Sequence, residues 1–276
     1  MPRREGQHMR AFAFALAASL ALASASEASL ALASAGEARP SRVVSLNLCT
    51  DELLLMLAAP EQIASVTHLS QSPAESAVWR QARRHRRNDG SLISTVPLRP
   101  DLLLTMGGGV RDRAGIAARL GLKTLDLPYP DSLADVKASI EQVAAAIGRD
   151  TAGRQLVRRI ETLQRSAPRR QRDTIWLGGG GQSVSDTGLG AQWMRLAGYR
   201  QRRLAGERVS LEQLLVQPPE ILLRSDYRGR QYSAGQRWLG HPLAGGTSRS
   251  RSVRTDGRRW TCMGPTLIAE IERLRG

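Results

Sequence analysis

The chain has 276 residues, of which 41% are hydrophobic and 24% are charged. This composition supports a folded core of one large or two modest domains and excludes a disordered chain. The formal net charge is +15, and arginine supplies almost all of the positive charge because the sequence contains only two lysines. Nucleic-acid binding is not expected, because the arginines are scattered and only 4% of the residues are aromatic.

The N-terminal segment has the pattern of a secretory signal peptide. Arginines up to Arg10 precede the apolar run AFAFALAASLALASAS, which is too short and too rich in small residues to span a membrane well. We predict a signal peptide over residues 1–35 and export as a soluble protein. Because SLALASASEA is repeated as SLALASAGEA, cleavage after Ala25 and cleavage after Ala35 both remain open.

After residue 40, strands and helices alternate as in a parallel α/β lobe. Apolar runs predict the strands, and Thr50 is the predicted N-cap of the first helix. The clearest helix begins at Ser132, which forms a capping box with Asp135 and precedes apolar residues at spacings of three and four. The predicted elements of this half are strands 43–46, 63–66, 102–106 and 123–127 and helices 51–58 and 132–147.

A charged helix predicted over residues 151–168 separates this half from a second one of similar design. Its narrow apolar stripe consists of Leu156, Val157, Ile160 and Leu163. Such a helix is suited to connecting two bodies. Beyond it, QPPEILLRSDY repeats the pattern of LRPDLLLTMGG, in which a proline and an acid precede three aliphatic residues. We therefore predict two Rossmann-like α/β lobes, at residues 40–150 and 169–276, with a ligand cleft between them.

Polar and glycine-containing loops follow the predicted strands, and ligands bind at the carboxyl ends of parallel strands in such sheets. No enzyme motif accompanies these loops. GGGGQS lacks the lysine of a phosphate-binding loop, and the four histidines lack metal-ligand spacing. We therefore expect no catalytic residue, no metal site and no resident cofactor.

Cys49 and Cys262 are the two cysteines of the sequence, and their state remains open at this point. An even number favours a disulfide in an oxidising compartment, and such a bond would join the two lobes. Two free thiols that line the cleft are the alternative. A third interpretation makes Cys49 the nucleophile of an exported enzyme with His68 as its base, although no acid that would orient the histidine is evident.

Five stretches follow one another along the chain: RVVSLNLCTDELLLMLAAPEQIASVTHLS, LRPDLLLTMGGG, the capped helix before the connector, SLEQLLVQPPEILL and RRWTCMGP. Together they resemble the periplasmic substrate-binding proteins of ABC importers for cobalamin, ferric siderophores and haem, in the class with a helical backbone. The resemblance covers roughly residues 40–276. It implies two lobes joined by one long helix and delivery of a bound metal chelate to a membrane permease.

The resemblance also implies where the ligand binds. In this family the strand-end loops of both lobes hold a bulky chelate, and aromatic side chains cover its faces. The matching positions are Asn47, Cys49, Thr50, His68, Gly108, Gly180, Tyr227, Trp238, Trp260 and Cys262. Trp193 is expected in the core instead, because it lies on a predicted helix.

Members of the family dock on the permease through one exposed glutamate in each lobe. Glu212 matches this position in the second lobe, and a solvated first-turn acid is its alternative interpretation. In the first lobe no glutamate stands at the expected place. Ser94 is near that place, Pro97 interrupts the usual helix, and Glu75 is a candidate substitute.

These observations predict a monomeric periplasmic binding protein that is not an enzyme. It would capture a ferric siderophore or a cobalamin-like corrinoid and deliver it to an ABC permease. Haem is a less favoured ligand, because no tyrosine or histidine is evidently placed as an axial ligand. An exported enzyme that uses Cys49 is the alternative from another functional class.

Overall fold

The computed structural model describes residues 39–108, 116–229, 231–246 and 249–276, and the predicted signal peptide lies outside these ranges. The described residues form two parallel β-sheets, and all neighbouring strands in them run parallel. The first sheet has the order β3-β2-β1-β4-β5, and the second has the order β7-β6-β8-β9. The strands are β1 (Val43–Ser45), β2 (Ile63–Thr67), β3 (Arg87–Asn88), β4 (Leu102–Met106), β5 (Thr124–Leu127), β6 (Arg172–Leu177), β7 (Tyr199–Gln201), β8 (Ile221–Ser225) and β9 (Arg251–Thr255).

Helices flank both sheets, so the prediction of two parallel α/β lobes is confirmed. We call the part that contains the first sheet the first lobe and the part that contains the second sheet the second lobe. The helices are α1 (Leu48–Leu57), α2 (Trp79–Ala82), α3 (Leu92–Thr95), α4 (Leu133–Ala146), α5 (Asp150–Arg165), α6 (Leu189–Leu196), α7 (Leu211–Val216), α8 (Ala234–Leu239), α9 (Arg259–Cys262) and α10 (Leu267–Arg275).

The connector between the lobes is helix α5, which ends three residues earlier than predicted. The predicted apolar stripe is buried and packs into the main core. Gly153 brings α5 close to α4, because a Cβ atom at this position would lie 2.5 Å from the Cβ of Ala144. The connector is therefore held along its length by the protein and does not cross open solvent.

The apolar core is continuous across the two lobes. Leu54 and Ile140 of the first lobe belong to the same buried cluster as Trp193 and Ile268 of the second lobe. The predicted core position of Trp193 is confirmed, since this side chain is fully buried and its indole Nε1 donates to the carbonyl oxygen of Met263 at 2.8 Å. A shared core opposes wide separation of the lobes, because opening would expose apolar surface to water.

Helix α1 begins earlier than the sequence predicts. Its N-cap is Asn47, whose side-chain oxygen accepts a hydrogen bond from the backbone N–H of Thr50 at 2.9 Å. Thr50 is therefore not the N-cap but a residue of the first helical turn. No helix among the described residues is long and apolar enough to cross a membrane.

Candidate functional site

A disulfide bond joins the two lobes. Cys49 in α1 is bonded to Cys262 in α9, with 5.3 Å between the two Cα atoms and 213 residues of sequence separation. The described residues include no free cysteine. The expectation of free thiols that line the cleft is therefore wrong, and an enzyme mechanism based on Cys49 loses its nucleophile because the sulfur is already bonded.

Buried carboxyl groups lie beside this bond. Thr266 of the second lobe donates to the Oε2 atom of Glu52 in the first lobe at 3.0 Å. Burial raises the pKa of Glu52 to about 8, against the opposing effects of the Thr266 hydrogen bond and the nearby charge of Arg259. Burial likewise raises the pKa of Asp51 to about 6, although this carboxylate accepts hydrogen bonds from Thr67. The cavity beside the bond, whose lining includes Cys49, Cys262 and Pro265, has a volume of only about 10 Å³, which is too small for a bulky ligand.

The polar residues at the start of α1 make contacts that stabilise the fold. The Asn47 side chain caps the helix, and Thr50 is fully buried with its hydroxyl 2.7 Å from that of Ser45. Asn47 is half-buried, and the expectation that Asn47 and Thr50 contact the ligand stays a prediction.

Trp260 is buried in the core of this structure, and its role as a ligand-stacking aromatic stays a prediction. Its side chain is only 3% exposed, and its indole Nε1 donates to the hydroxyl of Thr255 at 2.7 Å. The ring packs against Trp176 with 5.9 Å between centroids. The short helix α9 turns this side chain inward, whereas the sequence indicates an exposed loop.

The other predicted contacts are spread over several places. Gly108 donates its N–H to Asp126, and Gly180 accepts from Arg208. Trp238 packs against the smaller core cluster of the second lobe. His68 lines a shallow depression together with Arg87 and Ser94 of the first lobe. The turn that contains Gly180 packs against the helix that carries Trp238 in the second lobe, whereas Gly108 and His68 belong to the first lobe. The roles of these four residues in ligand binding stay predictions.

A cavity of about 530 Å³ lies between the lobes at the carboxyl ends of β2, β8 and β9. Its charged and aromatic lining residues are Trp79 and Arg80 from the first lobe and Asp226, Arg228 and Arg258 from the second. The volume is in the range of small-molecule sites. This cavity therefore lies away from the disulfide, toward one side of the interface.

The positive charge in this cavity exceeds the negative charge. Arg80 lies 4.5 Å from the centre of the Trp79 ring, and among the described residues it has no carboxylate partner. Arg258 forms an ion pair with Asp256, and Asp226 accepts from the backbone N–H of Gly257 at 2.9 Å. Arg83 also lies over the Trp79 ring, at 4.8 Å from its centre. Three guanidinium groups in the lining of one cavity suit an anionic ligand.

A set of polar contacts closes one wall of the cavity, and we call residues 73–76 with Tyr227, Arg228 and Arg258 the clasp. Tyr227 donates its hydroxyl to Glu75 at 2.6 Å, and Arg228 forms an ion pair with Glu75 at 2.9 Å. Arg258 donates to the carbonyl oxygen of Pro73 at 2.9 Å. Tyr227 was expected to contact the ligand, and in this state its hydroxyl belongs to the clasp.

The clasp also sets the ionisation of its acid. Partial burial raises the pKa of Glu75, but the hydrogen bonds from Arg228 and Tyr227 and the charge of Arg228 outweigh it. The pKa of Glu75 therefore lies below its ordinary value, and the group is ionised at neutral pH. The same arrangement raises the pKa of Tyr227, mainly through burial and the hydrogen bond to Glu75.

A family model described as periplasmic binding protein matches residues 43–243, which is well over half of the chain. The chain belongs to the periplasmic binding protein family. No curated protein matches it at a significant level.

Solved structures with this fold cover most of the chain. The siderophore-binding protein BauB, bound to two molecules of acinetobactin and ferric iron, is 15% identical with a TM-score of 0.66, covering 87% of this chain and 94% of its own. The haem-binding protein HutB of Vibrio cholerae is 16% identical with a TM-score of 0.65, covering 85% and 97%. The haem-binding protein BhuT, in complex with two haems, is 19% identical with a TM-score of 0.63, covering 85% and 96%. At these identities the likeness establishes the fold.

In this periplasmic binding protein, two short helices occupy corresponding places in the lobes. Ser91 caps α3 and Ser210 caps α7, and each helix is followed by a proline, an acid and an apolar strand. Counting from the caps, Glu212 corresponds to Ile93 rather than to Ser94. Glu212 is exposed in the first turn of α7, and the Ile93 side chain is 84% exposed. Glu75 forms an ion pair in the clasp of this structure, and its role as a docking acid stays a prediction.

The cavity residues of the first lobe, Trp79 and Arg80, were missed because they fall in a polar segment without periodicity. Residues 71–95 are predicted as loop with one short helix, and the structure places α2, β3 and α3 there. The available signal is a tryptophan followed by several arginines after a buried strand. That combination at a strand end indicates an anion site more strongly than the isolated glycines do.

Proposed function

We propose that this periplasmic binding protein captures an anionic ferric chelate in the arginine-lined cavity and delivers it to an ABC permease. The observation that carries the proposal is the convergence of Arg80, Arg228 and Arg258 beside Trp79 between the lobes. Membership of the family supports the binding role. The arginines supply charge and directed hydrogen bonds to the chelate, and the indole supplies a flat apolar contact.

A ferric siderophore with carboxylate or catecholate groups is the ligand that we favour. The described residues that line the cavity include no histidine or methionine, and the hydroxyl of Tyr227 in the adjoining clasp is bound to Glu75. The iron would therefore reach the protein with its coordination already complete, and recognition would act on the organic ligand.

Haem is the second candidate. Two of the structures described above are named as haem-binding proteins, and the two carboxylates of haem would also suit the arginines. It is less favoured because the lining residues offer no axial ligand. A cobalamin-like corrinoid is the third candidate, because it carries little negative charge for three arginines to meet.

The chelate is tested with the exported, processed protein. We expect ferric tris-catecholate to quench tryptophan fluorescence, because Trp79 lies in the cavity, whereas cyanocobalamin gives a small response. The variant Trp79→Phe should lose most of the quenching while calorimetry still detects binding. Absence of binding to ferric tris-catecholate, ferric citrate, haem and cyanocobalamin would overturn the proposal.

The arginine-lined cavity predicts a local charge effect on affinity. Replacing Arg80 by Gln should weaken binding of ferric tris-catecholate about tenfold, because a charge-assisted contact is lost. The control is Arg154→Gln on the exposed side of α5, which removes the same charge away from the cavity. Equal losses in both variants would show that only the net charge of the protein matters.

Glu212 is the proposed permease contact of the second lobe, whereas the first lobe presents Ile93 at the corresponding place. The two docking contacts would then differ in chemistry, one acidic and one apolar. Glu212→Ala should lower chelate uptake by cells that carry the protein's own importer and leave chelate affinity unchanged. Unchanged uptake would leave Glu212 as a solvated first-turn acid.

We expect the processed protein to elute as a monomer in size-exclusion chromatography.

A further inference from the structure

We infer that Glu75 competes with the ligand for Arg228. The carboxylate of Glu75 is bound to the Nη2 atom of Arg228, which an anionic group of the chelate would also bind. The inference rests on the proposed capture of an anionic chelate. Glu75 lies beside the cavity, and it would affect ligand binding by holding the cavity residue Arg228 in an ion pair. Glu75 comes from the first lobe and Arg228 from the second, so the pair also ties the lobes together.

The geometry of the guanidinium group carries the argument. Glu75 contacts Arg228 through Nη2, at 2.9 Å to Oε1 and 3.0 Å to Oε2. A carboxylate or catecholate binds a guanidinium with two parallel hydrogen bonds, either from Nη1 and Nη2 or from Nε and Nη2. Both arrangements use Nη2. Nη2 carries one N–H bond for each arrangement, so a ligand group that binds the edge of the guanidinium held by Glu75 must displace Glu75.

The other two arginines of the cavity, Arg80 and Arg258, are not paired with an acid from the opposite lobe among the described residues. Arg258 is paired with Asp256, which stands two residues earlier on the same loop and moves together with it. Arg80 has no carboxylate partner among the described residues. Arg228 is the cavity arginine whose acid comes from the opposite lobe, 153 residues away. Its pairing can therefore be exchanged without disrupting a local turn.

Displacement of Glu75 has a structural consequence that is limited to the clasp. Tyr227 and Arg228 would lose their acceptor, and residues 73–76 would keep the hydrogen bond from Arg258 to Pro73. The disulfide and the shared core would hold the lobes in place. A ligand without an anionic group gains nothing on Arg228 that offsets the loss of the ion pair, so Glu75 selects for anionic ligands.

A double-mutant cycle tests the competition directly. Calorimetry with ferric tris-catecholate is carried out on the exported wild type, Glu75→Gln, Arg228→Gln and the double variant. Glu75→Gln should bind about tenfold more tightly than the wild type, because the neutral amide holds Arg228 less strongly. The same change should have no effect in the Arg228→Gln background. The control Glu61→Gln removes an exposed acid that lies outside the cavity lining, and its affinity should equal that of the wild type.

Each other outcome has a defined meaning. A gain from Glu75→Gln that persists in the Arg228→Gln background would show a general charge effect and overturn the inference. Unchanged or weaker binding by Glu75→Gln would overturn it as well, while leaving the proposed function intact. Absence of ferric tris-catecholate binding by all of these proteins would contradict both the proposed function and this inference.

Amide hydrogen exchange without ligand provides a second readout. Backbone amides of residues 73–76 should exchange faster in Glu75→Gln than in the wild type, because the clasp is weaker. Adding ferric tris-catecholate to the wild type should have the same effect on these amides. Slower exchange of this segment upon binding would show that the ligand reinforces the clasp, which contradicts displacement.

Discussion

At the scale of single residues, the joint between β1 and α1 holds polar groups for structural reasons. Asn47 caps the helix, Cys49 bonds to the second lobe, and Asp51 and Glu52 are buried with the core. Glu52 is the least well satisfied of these groups, because its Oε1 atom is buried without a hydrogen-bond partner. Its raised pKa means that the folded protein keeps a proton on Glu52 that the unfolded chain releases.

Glu52 therefore predicts a loss of stability with rising pH. Its pKa is about 8 in the folded state and 4.5 for the ordinary side chain, so unfolding releases a proton between these values. Its contribution to the free energy of unfolding should fall by up to about 1.4 kcal/mol per pH unit in this window. Glu52→Gln should lack this dependence and become more stable than the wild type as the pH approaches 8.

Urea unfolding at pH 5 and pH 8 measures this difference. Asp51 titrates in both proteins, so comparing the variant with the wild type isolates Glu52. Glu61→Gln, at an exposed position, should follow the wild type at both pH values. A stability difference between Glu52→Gln and the wild type that does not change with pH would contradict the prediction.

Sequence reasoning at this scale succeeds where a side chain has one strong local determinant. Trp193 lies on an apolar helical face and is buried as predicted. Trp260 has polar and charged neighbours in sequence, yet tertiary contacts with Trp176 and Thr255 bury it. Such contacts between distant segments cannot be read from the immediate neighbours of a residue.

At the scale of elements, strong apolar runs are predicted well and short polar strands are not. The central strands β4 and β8 consist largely of aliphatic residues, and both are recognised. Three of the four edge strands, β3, β7 and β9, are missed, because each is short or rich in arginine, whereas the more apolar edge strand β5 is recognised. Edge strands face solvent on one side, so their residues carry little hydrophobic signal. Helices α4 and α5 are recognised from apolar spacing and from capping.

The crossing of α4 and α5 predicts the effect of a small substitution. Alanine at position 153 would gain about 1 kcal/mol in helix propensity. Its Cβ would lie 2.5 Å from the Cβ of Ala144, which cannot rotate away, and such overpacking costs about 1–3 kcal/mol. Gly153→Ala should therefore lower the free energy of unfolding by about 1 kcal/mol on balance. Thermal and urea unfolding measure this loss.

A compensating change tests the cause of that loss. The double variant Gly153→Ala with Ala144→Gly restores the space at the crossing and exchanges the two residue types. It should recover most of the wild-type stability, whereas Ala144→Gly alone should be destabilised. Additive losses in the double variant would show that the helix crossing is not the reason.

At the scale of the whole molecule, two lobes share a core and a covalent link. The fold class follows from the order of strands and helices, and the family relation confirms it. The position of the cavity cannot be predicted from the order of strands and helices. It depends on how much of the interface between the lobes is filled by the disulfide and the apolar core. The resemblance places the ligand along the whole interface, and the structure concentrates the arginines at one side of it.

The link between the lobes predicts a large contribution to stability. The bond spans 213 residues, so breaking it enlarges the conformational freedom of the unfolded chain. The variant with Cys49→Ser and Cys262→Ser should lose roughly 2–5 kcal/mol in free energy of unfolding. Urea unfolding with and without a reducing agent measures this loss. Reductant should destabilise the wild type to the level of the variant and leave the variant unchanged, and a wild type insensitive to reductant would contradict the prediction.

The pairing of the cysteines has a consequence for biogenesis. The sequence contains two cysteines, so a single intramolecular pairing exists and oxidation has no wrong product to form within the chain. Cys49 is synthesised 213 residues before Cys262, so its thiol stays unpaired until nearly the whole chain has been made. Maturation would thus require an oxidant that delivers one bond late, and it would not require an isomerase that reshuffles bonds.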